Sequence, residues 1–353
     1  MKENAKTEVV DVLVVGAGFA GMFLLYNLRK KGFNVVVVEE ASGVGGTWYW
    51  NRYPGARCDV ESVEYSYSFS EDLQQEWNWS SRFSTQPEIL SYANHVADKF
   101  DLRRHIKFDS RVESIHYSES QNVWTLATLQ GEVYNAKYCI MATGTLSAIN
   151  EPRFKGIDTF KGDWYVTGKW PHEPVDFKGK KVGIIGTGSS AVQAIPVIAP
   201  HVESLTVFQR TANYSIPARN HSLTLEEIEK VKDNYSEIRA KARGNRAGIA
   251  SMEIGPYSAL DVSDSDRDLE FKRRWQDGGT NFLAAFNDIG TNADSNEKVA
   301  DFVRAKIHEV VRDTEVADLL SPTNTIGCKR LCADTDYYET YNRDNVLLVD
   351  VNK

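Results

Sequence analysis

Two glycine-rich turns, and the charges that follow them, are the residues best placed to do chemistry in this 353-residue chain. The first, Gly16-Ala17-Gly18-Phe19-Ala20-Gly21, has G-x-G-x-x-G spacing, and Glu39 stands 23 residues beyond Gly16. The second, Gly186-Thr187-Gly188-Ser189-Ser190-Ala191, has alanine at the third position, and the same count from Gly186 ends on Gln209, with Arg210 next. In such a turn the first glycine permits the tight bend and the second lets the backbone approach a pyrophosphate. The third allows close helix packing, and the helix N-terminus supplies N–H donors and the positive end of a dipole. A carboxylate at the end of the next strand accepts hydrogen bonds from both hydroxyls of a ribose, so Glu39 suits a dinucleotide with a free diol. A carboxylate there would repel a 2′-phosphate, whereas a guanidinium grips one bidentately. Gln209-Arg210 therefore reads as an NADPH site and Glu39 as the site of a different dinucleotide.

Such turns work only between a strand and a helix. Residues 9–15 form a β-rich apolar run into Gly16, a helical pattern follows to residue 31, and a second apolar strand over 34–38 delivers Glu39. The order recurs with a strand over 181–185, a helix toward Ala199, and a strand over 204–208 that delivers Gln209 and Arg210. The expected fold is α/β, with two doubly wound Rossmann-like dinucleotide-binding domains and a helical insertion. Residues 138–144 read as a strand closing the first domain, and Pro152 begins the crossing to the second. From Thr224 the character turns charged and helical. Thr224 and Glu227 have capping-box spacing, and Ile228, Val231, Tyr235 and Ile238 recur at helical spacing, as do Val299, Phe302, Val303, Ile307 and Val310. The expected division is a first nucleotide domain over 1–149, a second over 150–223 and 327–353, and the insertion over 224–326.

The remaining composition narrows the class. A net charge of −8 argues against a nucleic-acid partner. The opening eight residues are polar and lack a signal-peptide pattern, and no apolar run reaches the ~18 residues of a membrane span. Cys58, Cys139, Cys328 and Cys332 show no CxxC spacing, which suits reduced thiols in a cytoplasmic protein. The seven histidines show no metal spacing, so no metal is expected. No pattern sets the oligomeric state. Two dinucleotide domains in one chain indicate a flavoprotein, with FAD at the Glu39 site, reduced by NADPH. Disulfide reductases share that plan but need a redox cysteine pair just after the first βαβ unit, where this chain has only Cys58.

The run Gly45-Gly46-Thr47-Trp48-Tyr49-Trp50-Asn51-Arg52-Tyr53-Pro54-Gly55-Ala56-Arg57-Cys58-Asp59 closely resembles the flavin-side segment of Baeyer–Villiger monooxygenases. The resemblance continues through Phe83-Ser84-Thr85-Gln86-Pro87-Glu88, Ala142-Thr143-Gly144, both turns, Gly327-Cys328-Lys329-Arg330 and Tyr337-Tyr338-Glu339-Thr340-Tyr341-Asn342-Arg343-Asp344-Asn345-Val346. It spans essentially the whole chain, nearest the cyclohexanone and phenylacetone monooxygenase branches. It implies an NADPH- and O2-dependent FAD enzyme that inserts one oxygen atom beside a ketone carbonyl, giving an ester or lactone through a C4a-peroxyflavin. The alternatives are a flavin-dependent N- or S-oxygenase and a nucleotide-binding fragment without turnover.

The resemblance also implies residue roles. Gly16, Gly18, Phe19 and Gly21 of the first turn, with Glu39, Thr47, Trp48, Tyr49, Trp50, Asp59, Tyr65 and Val112, would contact FAD. Half of the aromatic residues there are expected to pack rather than to do specific chemistry. Arg57, Cys58 and Asp59 would border the nicotinamide. Thr187, Gly188, Ser189, Ser190 and Gln193 would hold the NADP pyrophosphate and ribose, and Arg210, Thr211 and Lys329 the 2′-phosphate end. Arg330 would be catalytic, supported by Asp59, because a permanently charged guanidinium stabilises an anionic carbonyl adduct without titrating.

The sequence departs from the family in two places. The fingerprint F-x-G-x-x-x-H-T-x-x-W-P reads here Phe160-Lys161-Gly162-Asp163-Trp164-Tyr165-Val166-Thr167-Gly168-Lys169-Trp170-Pro171, with Val166 in place of histidine. An apolar side chain cannot make the imidazole's hydrogen bonds, so weaker coupling of NADPH binding to oxygenation is expected. Family members are also longer: this sequence stops at Lys353, just after a strand-like 345–351, as a fragment or a shortened relative would.

Overall fold

The computed structural model describes residues 7–353; the first six residues of the polar opening segment lie outside that range. Its eleven described strands are β1 (Thr7–Val15), β2 (Val35–Val38), β3 (Ile106–Lys107), β4 (Val112–Ser118), β5 (Val123–Thr128), β6 (Val133–Met141), β7 (Lys181–Ile185), β8 (Ser204–Gln209), β9 (Ser215–Pro217), β10 (Cys332–Asp334) and β11 (Val346–Asp350). The helices are α1 (Phe19–Lys30), α2 (Thr47–Trp50), α3 (Glu71–Glu76), α4 (Gln86–Lys99), α5 (Ser189–Ile198), α6 (Leu225–Gly244), α7 (Asp264–Asp277), α8 (Ala293–Val310), α9 (Thr314–Leu320) and α10 (Tyr337–Thr340). They divide between two compact units. The first contains the chain up to Arg52 and Gln86–His172, and the second contains Tyr53–Thr85 and Glu173–Lys353.

In the first unit one six-stranded sheet runs in the order β3-β2-β1-β6-β5-β4. The strands β3, β2, β1 and β6 pair in parallel. Val12, Leu13 and Val14 of β1 and Val35 to Val38 of β2 are buried, the near-continuous apolar composition of parallel strands covered on both faces. The strand expected over 138–144 begins earlier and ends at Met141. It lies between β1, in register Val15↔Met141, and β5. Two antiparallel strands, β5 and β4, continue the sheet beyond it, and the glycine patterns gave no sign of them.

The second unit holds a parallel three-stranded sheet, β11-β8-β7, and a parallel pair, β10-β9. α5 turns its apolar side inward, burying Ala191, Val192, Ala194, Ile195 and Ile198. The charged helical stretch forms α6 to α9 within this unit. Thr224 caps α6 as anticipated: the Glu227 N–H donates to Thr224 Oγ1 at 3.2 Å and the Thr224 N–H to Glu227 Oε2 at 2.8 Å. In α8, Val299, Val303 and Ile307 are buried, as the spacing required.

This grouping differs from the division expected at 149/150. Residues 53–85 pack with the second unit because the Gln193 carboxamide binds the Arg57 main chain and the Arg239 guanidinium binds Gln74 and Ser66. Residues up to His172 stay with the first unit, where the His172 ring lies 5.0 Å from that of Tyr49.

Candidate functional site

In the first unit β1 delivers the chain into Gly16, whose φ of +103° only glycine adopts easily. A Cβ on Gly21 would stand 1.8 Å from the Gly16 carbonyl oxygen, so α1 packs onto the turn at a distance no side chain permits. Glu39, at the end of β2, is buried. Its carboxylate accepts the Ala17 N–H at 2.6 Å and the Ala41 N–H at 2.8 Å, which ties the turn to the strand end. Burial pushes its pKa up, and those two hydrogen bonds pull it back. Gly46 lies against Gly18, so Thr47 and α2 begin beside the turn. Trp48 is buried and its carbonyl accepts the Gln86 side-chain amide at 2.5 Å. Tyr49 and Trp50 are half-buried, and the Tyr49 ring carries the Arg52 guanidinium 5.3 Å from its centroid. Val112 packs against the core around Leu13 and Leu126. Asp59 and Tyr65 belong to the second unit.

The second turn repeats the geometry with one relaxation. Gly186 has φ +105°, matching Gly16, while Ala191 replaces the third glycine and is accommodated at 8% exposure. Thr187 is buried, and its hydroxyl donates to the Thr211 carbonyl at 2.8 Å, tying the turn to the chain after β8. A Cβ on Gly188 would meet nothing within 4 Å, so the space above this turn is open. Gln209 is buried and donates to the Leu319 carbonyl. Arg210, Thr211 and Lys329 are exposed, and among the described residues neither cation makes an ion pair.

The helices divide by how they begin. Side chains of Ser70, Thr224, Ser263, Asn292 and Asp313 cap α3, α6, α7, α8 and α9. α1 and α5 begin instead on Gly18 and Gly188 with no side-chain cap, as do the four-residue α2 on Gly46 and α10 on Asp336. Of these, α1 and α5 alone are long enough for their first N–H groups to lie at the head of a substantial helix. Uncapped helix starts behind glycine turns suit two pyrophosphates. The residues present therefore fit two dinucleotides, one in each unit.

Arg330 and Asp59 meet in the second unit. Arg330 Nε donates to Asp59 Oδ2 at 2.9 Å and Nη2 to Oδ1 at 2.5 Å, a bidentate pair. The Arg330 side chain is 70% exposed and that of Asp59 is 13% exposed. The carboxylate holds the guanidinium pKa above its usual value, chiefly through those hydrogen bonds. Cys58, beside them, is buried and its thiol is pushed up to about 12 by desolvation. All four cysteines are free thiols. A thiol that must be deprotonated to react is of little use at such a pKa. Val166 is half-buried, and its carbonyl accepts the Lys169 N–H at 2.9 Å.

Sequence reasoning gave no role to Gln86, His172, Asn213 or Cys332, whose contacts arise only on folding. Among the described residues, no helix is long and apolar enough to cross a membrane, and no cluster of His, Cys, Asp or Glu side chains is arranged for a metal.

Residues 13–251 match the pyridine nucleotide-disulphide oxidoreductase family. A Baeyer–Villiger monooxygenase of Pseudooceanicola batsensis is 45% identical over 354 residues, covering 99% of this chain and 64% of that protein. The solved structure of an oxidised steroid monooxygenase bound to NADP superposes with TM-score 0.95 at 51% identity, over 98% of this chain and 66% of that one. An open crystal structure of cyclohexanone monooxygenase gives TM-score 0.95 at 44% identity, over 98% and 68%. The chain belongs to the pyridine nucleotide-disulphide oxidoreductase family and, within it, to the Baeyer–Villiger monooxygenases. It spans about two thirds of the length of the relatives it matches.

Proposed function

We propose that the whole protein is an NADPH-dependent FAD monooxygenase that inserts one atom of O2 beside the carbonyl of a small ketone, forming an ester or lactone. FAD belongs at the first turn, where the α1 N–H groups receive its pyrophosphate and Glu39 a ribose. NADPH belongs at the second, with Arg210 and Lys329 receiving the 2′-phosphate. Bound together, the two groups supply hydride transfer and activation of dioxygen. Arg330 stabilises negative charge developing on the ketone oxygen, and its charge persists at every working pH. Asp59 holds the guanidinium in one orientation by taking two of its N–H donors. The reading also has the protein in a reducing cytoplasm, in keeping with four unpaired thiols.

The observation that carries this proposal is the pair of uncapped glycine-led helices, one followed by Glu39 and the other by Arg210. A yellow protein with a bound-flavin spectrum is expected, oxidising NADPH in proportion to ester formed from a ketone. Colourless protein, or NADPH oxidation with no ketone-derived product, would count against it.

A further inference from the structure

Arg330 and Asp59 are 271 residues apart in sequence, and both stand in loops. Loop backbone is aimed by whatever hydrogen bonds its groups find. Here α5 reaches both loops: it bonds the Arg57 main chain directly and touches the side chain of Cys332, two residues after Arg330. The Gln193 carboxamide donates to the Arg57 carbonyl at 3.1 Å and accepts the Arg57 N–H at 3.3 Å, standing in for a neighbouring strand. It also accepts the Tyr53 hydroxyl at 2.9 Å. Gly55 approaches so closely that a Cβ there would lie 2.2 Å from the Gln193 carbonyl oxygen. Asp59 follows two residues after Arg57.

On the other side, Ser189 Oγ lies 3.3 Å from Cys332 Sγ. Asn213 Nδ2 donates to that sulfur at 3.1 Å and to the Arg330 carbonyl at 3.3 Å. Cys332 is buried, and desolvation raises its thiol pKa, so it serves as a neutral hydrogen-bonding spacer. Ser189 and Gln193 are four residues apart and share one face of α5. A single helical face thus reaches both segments that carry the ion pair.

We propose that Gln193 and Cys332 are positioning residues: through them the start of α5 sets both halves of the Arg330–Asp59 pair, so that a pyrophosphate arriving at the second turn firms that pair. This rests on the reading of that turn as the NADPH site. The Ser189 hydroxyl has one proton and two lone pairs. Once its proton turns to a phosphate oxygen, only the Cys332 thiol can donate across that contact, and its single proton then lies between Ser189 Oγ and the Arg330 carbonyl, 3.3 and 3.8 Å from the sulfur.

Hydrogen exchange of the whole protein, with and without saturating NADP+, tests the proposal. In the wild type, amides at 57–59 and 330–332 slow by about tenfold on addition of NADP+. Cys332→Ala loses the response at 330–332 and keeps it at 57–59, and Cys332→Ser restores it. Gln193→Ala does the reverse, and Gln193→Asn, one methylene too short, behaves as Gln193→Ala should the latter fold poorly. Because coupling is reciprocal, each variant loses no more than about tenfold in NADP+ affinity. Retention of both responses in both single variants overturns the proposal, as does loss of both responses in each. If NADP+ binds the wild type and neither segment responds, the positioning role alone fails. If calorimetry finds no binding to the wild type, the reading of the turn fails and takes this proposal with it.

Discussion

Arg330 holds a bidentate carboxylate while 70% of its side chain faces solvent. The Asp59 side chain is only 13% exposed, so the pair stands between a surface ion pair worth about 0.2–1 kcal/mol and a buried one. Arg330→Ala is expected to abolish ester formation, leave NADPH-driven flavin reduction in place, and cost about 1–3 kcal/mol of unfolding free energy because the Asp59 carboxylate loses its partner. Persistent ester yield would remove Arg330 from the chemistry. Arg210 is exposed, without an ionic partner among the described residues, at the end of β8. Its replacement by alanine should weaken NADPH binding by about tenfold or more, roughly one charge-assisted contact, with little effect on NADH. Equal losses for both nucleotides, measured by titration, would mean that Arg210 does not read the 2′-phosphate. Arg210 was legible because it stands at a fixed count from a glycine turn, and Arg330 only through the resemblance of Gly327-Cys328-Lys329-Arg330 to the family. Cys332 and Asn213 were not, because their contacts join segments more than a hundred residues apart.

At the scale of elements, the two turns share a sequence pattern but not a tolerance. At the equivalent first glycine, Gly16 has the Ala142 carbonyl oxygen 2.6 Å from where a Cβ would go, whereas Gly186 has nothing within 4 Å. Gly21→Ala must displace backbone and should cost about 1–3 kcal/mol of stability by denaturant unfolding. Gly188→Ala, at an extended φ of −82°, should fold normally and lose NADP+ affinity, since the new methyl group fills the pyrophosphate's place. A Gly188→Ala protein binding NADP+ as tightly as the wild type would show that the turn is no nucleotide cradle. Strands β1, β2, β7, β8 and β11 were readable from their apolar runs. β4 and β5 were not, because their half-buried residues carry no continuous apolar signal. The placement of 53–85 was also hidden, since it depends on Gln193 and Arg239 reaching across from far along the chain.

For the molecule as a whole, one buried acid links pH to stability. Asp334 accepts the Ser215 hydroxyl at 2.5 Å, and burial raises its pKa from 3.8 to about 7. A carboxyl raised on folding favours the folded state in its protonated form. That contribution is full below the unfolded pKa of 3.8 and is lost as pH rises through about 7. Asp334→Asn should flatten the decline in unfolding free energy across that window, and an unchanged slope would assign the pH dependence elsewhere. At this scale, too, two different dinucleotides are proposed to serve one oxygen insertion. Supplying the flavin-loaded protein with NADPH, a ketone and isotopically heavy O2 tests it most directly. One labelled oxygen per ester molecule and one NADPH consumed per ester are expected. Unlabelled product, or NADPH consumption with no ester formed, would contradict it.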